Sequence, residues 1–141
     1  MTYPPPPPPP PPPGEYGELS TTSEDRTWAM AAHLGALVTA WFALGLLAPL
    51  AVLLVQGNKS EFVRRHATES LNFQISLLIY SLIGTVVAFV LTLLTLGLGL
   101  FIIVPVVIVL VVLVLIVMIM AGIAASRGDD FRYPLNIRLI R

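Results

Sequence analysis

The chain has 141 residues, enough for one domain, and 56% of them are hydrophobic while 11% are charged. A soluble domain has roughly 25% charged residues and must cover its surface with polar groups, which this composition does not supply. A soluble enzyme and a disordered regulator are therefore excluded, and the formal net charge of zero gives no indication of a nucleic-acid partner. Because the chain has no cysteine, disulfides and thiolate metal sites are excluded as well. These properties predict an integral membrane protein.

Charged residues leave two long gaps in the sequence. No Asp, Glu, Lys or Arg lies from Thr27 to Asn58 or from Ser70 to Ser126. A bilayer core is crossed by about 20 apolar helical residues, and a helix satisfies its own backbone groups in lipid. The gaps predict an all-α polytopic integral membrane protein with three transmembrane helices. The predicted hydrophobic segments are 29–55, 71–96 and 102–125 of a membrane domain that covers residues 23–141.

Residues 1–22 are predicted to form a disordered polyproline tail, in which Pro4 to Pro13 are ten consecutive prolines. Such a run adopts a polyproline II rod of roughly 31 Å. One interpretation is a docking rod for a proline-rich-motif binding domain. The other is a solvated spacer, which we prefer because the run lacks flanking Arg or Lys.

The first hydrophobic segment, Ala29 to Val55, is longer than one span needs. As an ideal helix it would be about 40 Å long, against a hydrocarbon core of about 30 Å. We predict either a kinked span that breaks at Gly45 or Pro49, or a re-entrant helical hairpin that turns near Phe42 to Gly45. His33 is its one ionisable residue, and we interpret this imidazole as a structural group that reaches the interface or a neighbouring helix.

Several local patterns predict the helix ends. Two overlapping capping boxes, Thr21-x-x-Glu24 and Thr22-x-x-Asp25, predict a helix start. Ser60 is a predicted N-cap that follows a polar turn. Pro105 is predicted in the first turn of the last helix, and Gly128 is predicted to cap its end.

Polar residues near the second segment predict a structural network at the membrane edge. Glu61, Arg65 and Glu69 follow at steps of four in an amphipathic connector, which favours two exposed ion pairs. His66 and Glu69 share a helix face, so His66 is a predicted donor to the Glu69 carboxylate. Two ligands do not make a metal site, and we predict no metal and no cofactor. We predict that this network ties the connector turn to the helix ends or to the carboxyl tail, where Arg132 or Arg138 completes it. Its predicted members are His66, Glu69, Asn72, Gln74, Arg132 and Arg138.

A second set of residues predicts close helix packing. Small or hydroxyl side chains recur with a period near 3.5 residues along the second segment, which is typical of left-handed helix packing. A polar pore lining would have a similar pattern, but the set contains no charge. The predicted helix-packing seam is Ser81, Thr85, Ala88, Thr92 and Thr95.

The stretch Ser60-Glu61-Phe62-Val63, followed by His66-x-x-Glu69-Ser70-Leu71-Asn72-Phe73-Gln74, resembles a bacterial family signature. That widespread family includes the magnetosome membrane protein MamF and is similar to the chloroplast import component Tic-twenty. The Ala32-His33-Leu34 triplet and the ending Arg132-Tyr133-Pro134-Leu135 match it too, whereas Glu61 replaces its usual Pro and Ser70 its usual Ala. The resemblance covers about residues 23–141 and implies a small helical membrane protein without enzymatic activity.

The sequence contains no paired acid and base, no nucleophile beside a base and no phosphate loop. We therefore predict a non-enzymatic role in structure, scaffolding or assembly, with the lipid bilayer and other membrane proteins or further copies of the chain as partners. The alternative is a component of a transport or protein-translocation system. The expected location is the bacterial cytoplasmic membrane. With three spans the polyproline tail lies outside the cell, whereas a re-entrant first segment places every charged segment in the cytoplasm; we prefer three spans.

Overall fold

The computed structural model describes residues 21–40 and 45–140, which form four helices and, over these residues, no strand. Helix α1 covers Ser23–Ala40, α2 Leu47–Gln56, α3 Glu61–Leu94 and α4 Leu100–Arg127. The all-α prediction is confirmed. The polyproline tail lies outside the described residues.

Among residues 21–40 and 45–140, two helices, and not three, are long and apolar enough to cross a membrane: α3 and α4. The prediction of three spans is wrong because the first hydrophobic segment is divided into α1 and α2, which are 18 and 10 residues long and pack side by side. Gly45 lies in the turn before α2, while Pro49 lies in the first turn of α2, where a backbone donor is not needed. The segment is therefore a hairpin, as the re-entrant alternative predicted, although most of its turn, residues 41–44, is outside the described residues.

Small residues allow α1 to lie close to all three other helices. Ala29, Ala32 and Ala36 are fully buried at steps of three and four, which places them on adjacent parts of one helix face. Ala29 packs with Phe62 of α3 and Ala125 of α4, and Ala36 packs with Phe73 of α3. On α2, Ala48 lies so close to Gly35 that a Cβ added to the glycine would be 2.9 Å from the Ala48 Cβ.

Helices α3 and α4 each have a packed part and a bare part. The buried residues of α3 lie between Phe62 and Ser76, and those of α4 lie between Met118 and Ala125. In the most apolar 18-residue window of each helix, no residue is buried. We call residues 77–94 of α3 and 100–117 of α4 the arms, each about 27 Å long as an ideal helix. The head comprises α1, α2, residues 61–76 and 118–127, and the carboxyl-terminal tail, residues 128–140.

The predicted helix ends are largely confirmed. The Thr22 hydroxyl accepts from the Asp25 backbone N–H at 3.1 Å while the Asp25 carboxylate accepts from the Thr22 N–H at 2.9 Å, so the second capping box is the one that forms. Ser60 caps α3, and Gly128 ends α4 with a positive φ of 87°. Pro105 was placed wrongly: α4 begins at Leu100, so this proline is inside the helix, where its missing N–H costs one backbone hydrogen bond.

The exposed ion pairs also differ from the predicted ones. Glu61 pairs with Arg64 at 2.8 Å, one residue before the predicted Arg65. Arg65 reaches across to Asp130 of the tail at 3.2 Å instead of pairing within α3. The tail lies beside this end of α3 and therefore offers Arg65 a carboxylate that helical spacing alone does not anticipate.

Candidate functional site

The site is built around Glu69, a buried carboxylate on the head part of α3. Its Oε1 atom accepts a 2.9 Å hydrogen bond from the Tyr133 backbone N–H. The Arg138 guanidinium donates to both oxygens, with Nη2 3.2 Å from Oε1 and Nε 3.3 Å from Oε2. The Glu69 side chain is 11% exposed and that of Arg138 48%, so the pair lies at the edge of the head. One carboxylate thus holds two points of the tail by charge-assisted hydrogen bonds.

Further along the same face of α3, Asn72 and Ser76 bind the backbone of the tail. The Asn72 Oδ1 atom accepts from the N–H groups of Leu139 and Ile140 at 3.1 and 2.8 Å, and its Nδ2 donates to the Ile140 carbonyl at 2.8 Å. The Ser76 hydroxyl accepts from the Ile137 N–H at 2.8 Å. Residues 129–140 have no regular secondary structure, so these side chains supply hydrogen bonds that a helix or sheet would otherwise supply.

An aromatic contact fixes the start of this tail in the head. The Tyr133 ring is stacked on Phe73, with ring centroids 3.8 Å apart and an interplanar angle of 8°. Phe131 packs edge-on against the same ring at 5.2 Å. Burial of Tyr133 beside these rings removes apolar area from water in addition to the hydrogen bond of its backbone.

A chain of hydrogen bonds runs through two buried histidines. The Tyr133 hydroxyl lies 3.0 Å from His33 Nδ1, His33 Nε2 lies 2.7 Å from His66 Nδ1, and His66 Nε2 lies 3.1 Å from the Asp129 carbonyl oxygen. Because a carbonyl can only accept, His66 Nε2 carries a proton and donates it. With both rings neutral, His33 Nε2 then donates to His66, and the Tyr133 hydroxyl donates to His33. These hydrogen bonds connect α1, α3 and the tail.

The surroundings of these hydrogen bonds favour the neutral forms of His33 and Tyr133. Burial, with a smaller contribution from His66, lowers the pKa of His33 to about 3. Burial and the nearby Glu69 carboxylate raise the pKa of the Tyr133 phenol above its ordinary value. A neutral imidazole with so low a pKa is a poor base near pH 7, and the phenol is a poor acid. The arrangement is suited to holding three elements together rather than to transferring protons.

The structure brings together four of the six predicted network residues and separates two. Glu69, Asn72 and Arg138 bind one another or the tail, and His66 lies one turn away. The predicted bond from His66 to Glu69 is wrong, because His66 binds His33 and the Asp129 carbonyl instead. Gln74 lies on the other side of the helix, where its amide is 3.8 Å from the Met118 sulfur. Arg132 is exposed and lines a cleft beside the network.

Sequence reasoning missed Tyr133, Ser70 and Ser76 and did not pair His33 with His66. Ser70 is fully buried and donates to the Ala32 carbonyl at 2.8 Å, which joins α3 to α1. One available signal was the spacing of Glu69, Asn72 and Ser76, at steps of three and four, which gives one polar helix face. The sequence predicts that this face is tied to the helix ends or to the carboxyl tail, and in the structure it binds the tail.

A cleft of about 410 Å³ lies between the start of α3 and the tail. Four arginines line it: Arg64, Arg65, Arg132 and Arg138. Three of them are paired, with Glu61, Asp130 and Glu69 respectively, so much of the local positive charge is compensated. In residues 21–40 and 45–140, no group of three His, Cys, Asp or Glu side chains is arranged to hold a metal ion.

The residues of the predicted seam lie on the α3 arm. Ser81, Thr85 and Thr95 are exposed, and Ala88 and Thr92 are partly exposed. The hydroxyls of Ser81, Thr92 and Thr95 donate to carbonyls of their own helix, at 2.9, 2.7 and 2.7 Å. Packing along this seam stays a prediction, and it would need a further helix from outside the chain.

Comparison with known proteins gives one family and no individual relative. No curated protein and no solved structure matches the chain significantly. The similarity to the chloroplast import component is not shown. A family model named for MamF and MmsF matches residues 24–140, a range that includes the head, both arms and the tail. The chain is a membrane protein that belongs to the magnetosome magnetite crystal formation protein family.

Proposed function

We propose that the protein is a non-enzymatic structural component in the assembly of a membrane compartment, such as the magnetosome for which its family is named. The observation that carries this proposal is the use of the buried polar side chains. Glu69 and Asn72 hold the tail, and His33 and His66 connect α1, α3 and the tail. Over the described residues, every buried side-chain nitrogen and oxygen already has a hydrogen-bond partner, so none is left for a substrate to bind.

The proposed orientation follows from the distribution of charge. All eight Lys and Arg residues fall in the sequence before Ser70 or after Ser126, and the turn at 95–99 between the arms has none. The two arms together therefore have one charged end, next to the head, and one apolar end, at the turn. The positive-inside rule then places the head on the cytoplasmic side of the membrane, with the tail and the residues before α1. This orientation replaces the three-span topology and agrees with a location in the bacterial cytoplasmic membrane or a membrane derived from it.

The arms are proposed as the surface for association with other membrane proteins or with a second copy. In lipid, helices associate through close packing of small residues, which the seam provides on the α3 arm. Pro4 to Pro13 is proposed as a solvated spacer on the cytoplasmic side, with a proline-rich-motif binding domain as its other interpretation. The family does not favour the transport or translocation alternative.

The test is the size of the complex in lipid nanodiscs. We expect the full chain to purify as an assembly larger than one copy, alone or with a second membrane protein. Replacing Thr85 and Thr92 together by leucine should shift the assembly toward a single chain, because the larger side chains prevent close approach. The matched control, Val86→Leu with Val90→Leu, changes exposed side chains of the same arm off the seam and should leave the size unchanged. A single-chain wild type without any partner would contradict the proposal.

A further inference from the structure

The two ends of the molecule have different numbers of helices. At the head end, α1 packs against α2, α3 and α4, and α2 also packs against α3, so this end contains four helices. Along the arms beyond Leu77 and Val114, the described residues contain α3 and α4 alone. The contacts between α1 and α4 show how far the hairpin reaches along α4. Ala29 of α1 packs with Ala125 of α4, and Leu37 packs in the cluster that includes Val114 and Val117. Helix α1 therefore runs antiparallel to α4 past its last ten residues or more.

The outer face of the hairpin is apolar. On α2 the side chains of Leu47, Leu50, Leu54 and Val55 are 38–72% exposed, and on α1 Val38 is 67% exposed. No charged residue lies between Arg26 and Lys59, so this face continues the apolar surface of the arms without a charged boundary. An apolar surface of this kind is stable in contact with hydrocarbon and unfavourable in water. We take its occupant to be the acyl chains of the leaflet on the head side.

An insertion into one leaflet changes the area that the protein occupies in that leaflet. A helix has a diameter of about 10 Å, so α1 and α2 add on the order of 160 Å² to the cross-section at the head side. The opposite leaflet receives only the two arms and their turn. The molecule is therefore wider in the head-side leaflet, and a flat bilayer must stretch or compress lipids to accommodate it.

We propose that the protein is a membrane-curvature element: its α1–α2 hairpin acts as a wedge in one leaflet, so the protein prefers and promotes membranes that are convex on the head side. With the head on the cytoplasmic side, this favours membranes that bend toward the cytoplasm. The inference requires that α3 and α4 span the membrane with the hairpin at the depth of the head-side leaflet, and it does not require any association along the seam.

The test uses membrane tubes pulled outward from giant vesicles, in which the outer leaflet is convex. The full chain contains no cysteine, so Lys59→Cys provides a single exposed labelling site on the head. After reconstitution, quenching by a membrane-impermeant reagent distinguishes vesicles with the head outside from those with the head inside. The measured quantity is the fluorescence per lipid area on the tube relative to the flat vesicle.

With the head outside, we expect this ratio to exceed one and to rise as the tube is made narrower; with the head inside, it should fall below one. Replacing Leu50 and Leu54 together by asparagine should bring both ratios toward one, because the polar side chains withdraw α2 from the acyl chains. Leu135→Asn with Leu139→Asn makes the same chemical change on the exposed tail and should leave both ratios unchanged.

A ratio of one at every tube radius, or the same enrichment in both orientations, would overturn the inference. The orientation comparison needs only the labelled Lys59→Cys chain, so it remains decisive even if the Leu50 and Leu54 variant does not fold. The result is also independent of the assembly proposal, since a protein without curvature preference could still form complexes in flat nanodiscs. Conversely, if the assembly proposal fails and the protein is a single copy with no partner, that copy could still be enriched on tubes.

Discussion

The two parts of α3 are one continuous helix with opposite surroundings. Residues 61–76 contain every buried residue of the helix, including His66, Glu69, Asn72 and Gln74. In residues 77–94, Leu77 still packs against the core and the Tyr80 hydroxyl donates to the Leu135 carbonyl. The apolar side chains beyond them are mostly exposed, such as Leu82 and Leu94, which are 69% and 76% exposed. The head part therefore depends on specific partners, whereas the arm depends on a nonspecific apolar solvent.

The different surroundings of residues 61–76 and 77–94 show which type of interaction stabilises each part of α3. In the head, a polar residue is tolerated because its partner is fixed by packing, and its loss leaves that partner without a hydrogen bond. On the arm, one apolar side chain can replace another because lipid adapts to its shape. Substitutions of the same chemistry should therefore have large effects in residues 61–76 and small effects in residues 77–94.

The largest effect is expected for Glu69→Ala. It removes the acceptor of the Arg138 guanidinium and of the Tyr133 backbone N–H and should destabilise the head by about 3 kcal/mol. The measurement is thermal unfolding in detergent, with proteolysis of the tail as a second observable.

Glu61→Ala is the matched control, because Glu61 is on the same helix and pairs with Arg64 while both side chains are about half exposed. Its loss should cost about 0.5 kcal/mol. Equal unfolding temperatures for the two variants would show that Glu69 does not hold the tail.

A steric test compares the two parts of the helix directly. Ala67 is fully buried against Val52 and Ala32, so Ala67→Leu should overpack the head and cost about 2 kcal/mol. Ala88→Leu makes the same change on the arm and should leave the unfolding temperature of the single chain unchanged. A comparable loss of stability for both would mean that the arm is packed within the chain.

The effect that is smallest at neutral pH is a pH dependence confined to the head, which grows on acidification. His33 has a pKa of about 3 in the folded protein against about 6.5 in the unfolded chain, so the unfolded state binds more protons between these values. Stability should therefore be fully present above about pH 6.5 and fall as the pH decreases, by up to about 1.4 kcal/mol per pH unit.

Removing the imidazole tests this assignment. His33→Gln should lower the stability at pH 7 and give a smaller pH slope than the wild type between pH 6 and 4. Chemical denaturation in nanodiscs at fixed pH values measures both quantities. Identical slopes in the two proteins would assign the pH dependence to other groups of the head, His66 and Glu69, instead.

Composition and the gaps between charges were sufficient to predict the all-α class and the two apolar helices α3 and α4. Their lengths follow from backbone hydrogen bonding in lipid, which depends on little beyond apolar length. Local signals also predicted the caps at Thr22, Ser60 and Gly128, because a cap is formed by residues within one turn of the helix end. The number of spans was not determined in this way, since Ala29 to Val55 is long enough for both a tilted span and a hairpin.

Tertiary structure decided between these two alternatives and selected the partners in the head. Packing of Gly35 on Ala48 stabilises the hairpin, and such a contact between residues of one apolar segment leaves no pattern in hydropathy. Likewise, Glu69 binds Arg138 and His66 binds His33, although helical spacing favoured a bond between Glu69 and His66 themselves. Spacing along a helix determines which residues share a face, but the chain segment that folds against that face determines which hydrogen bonds form.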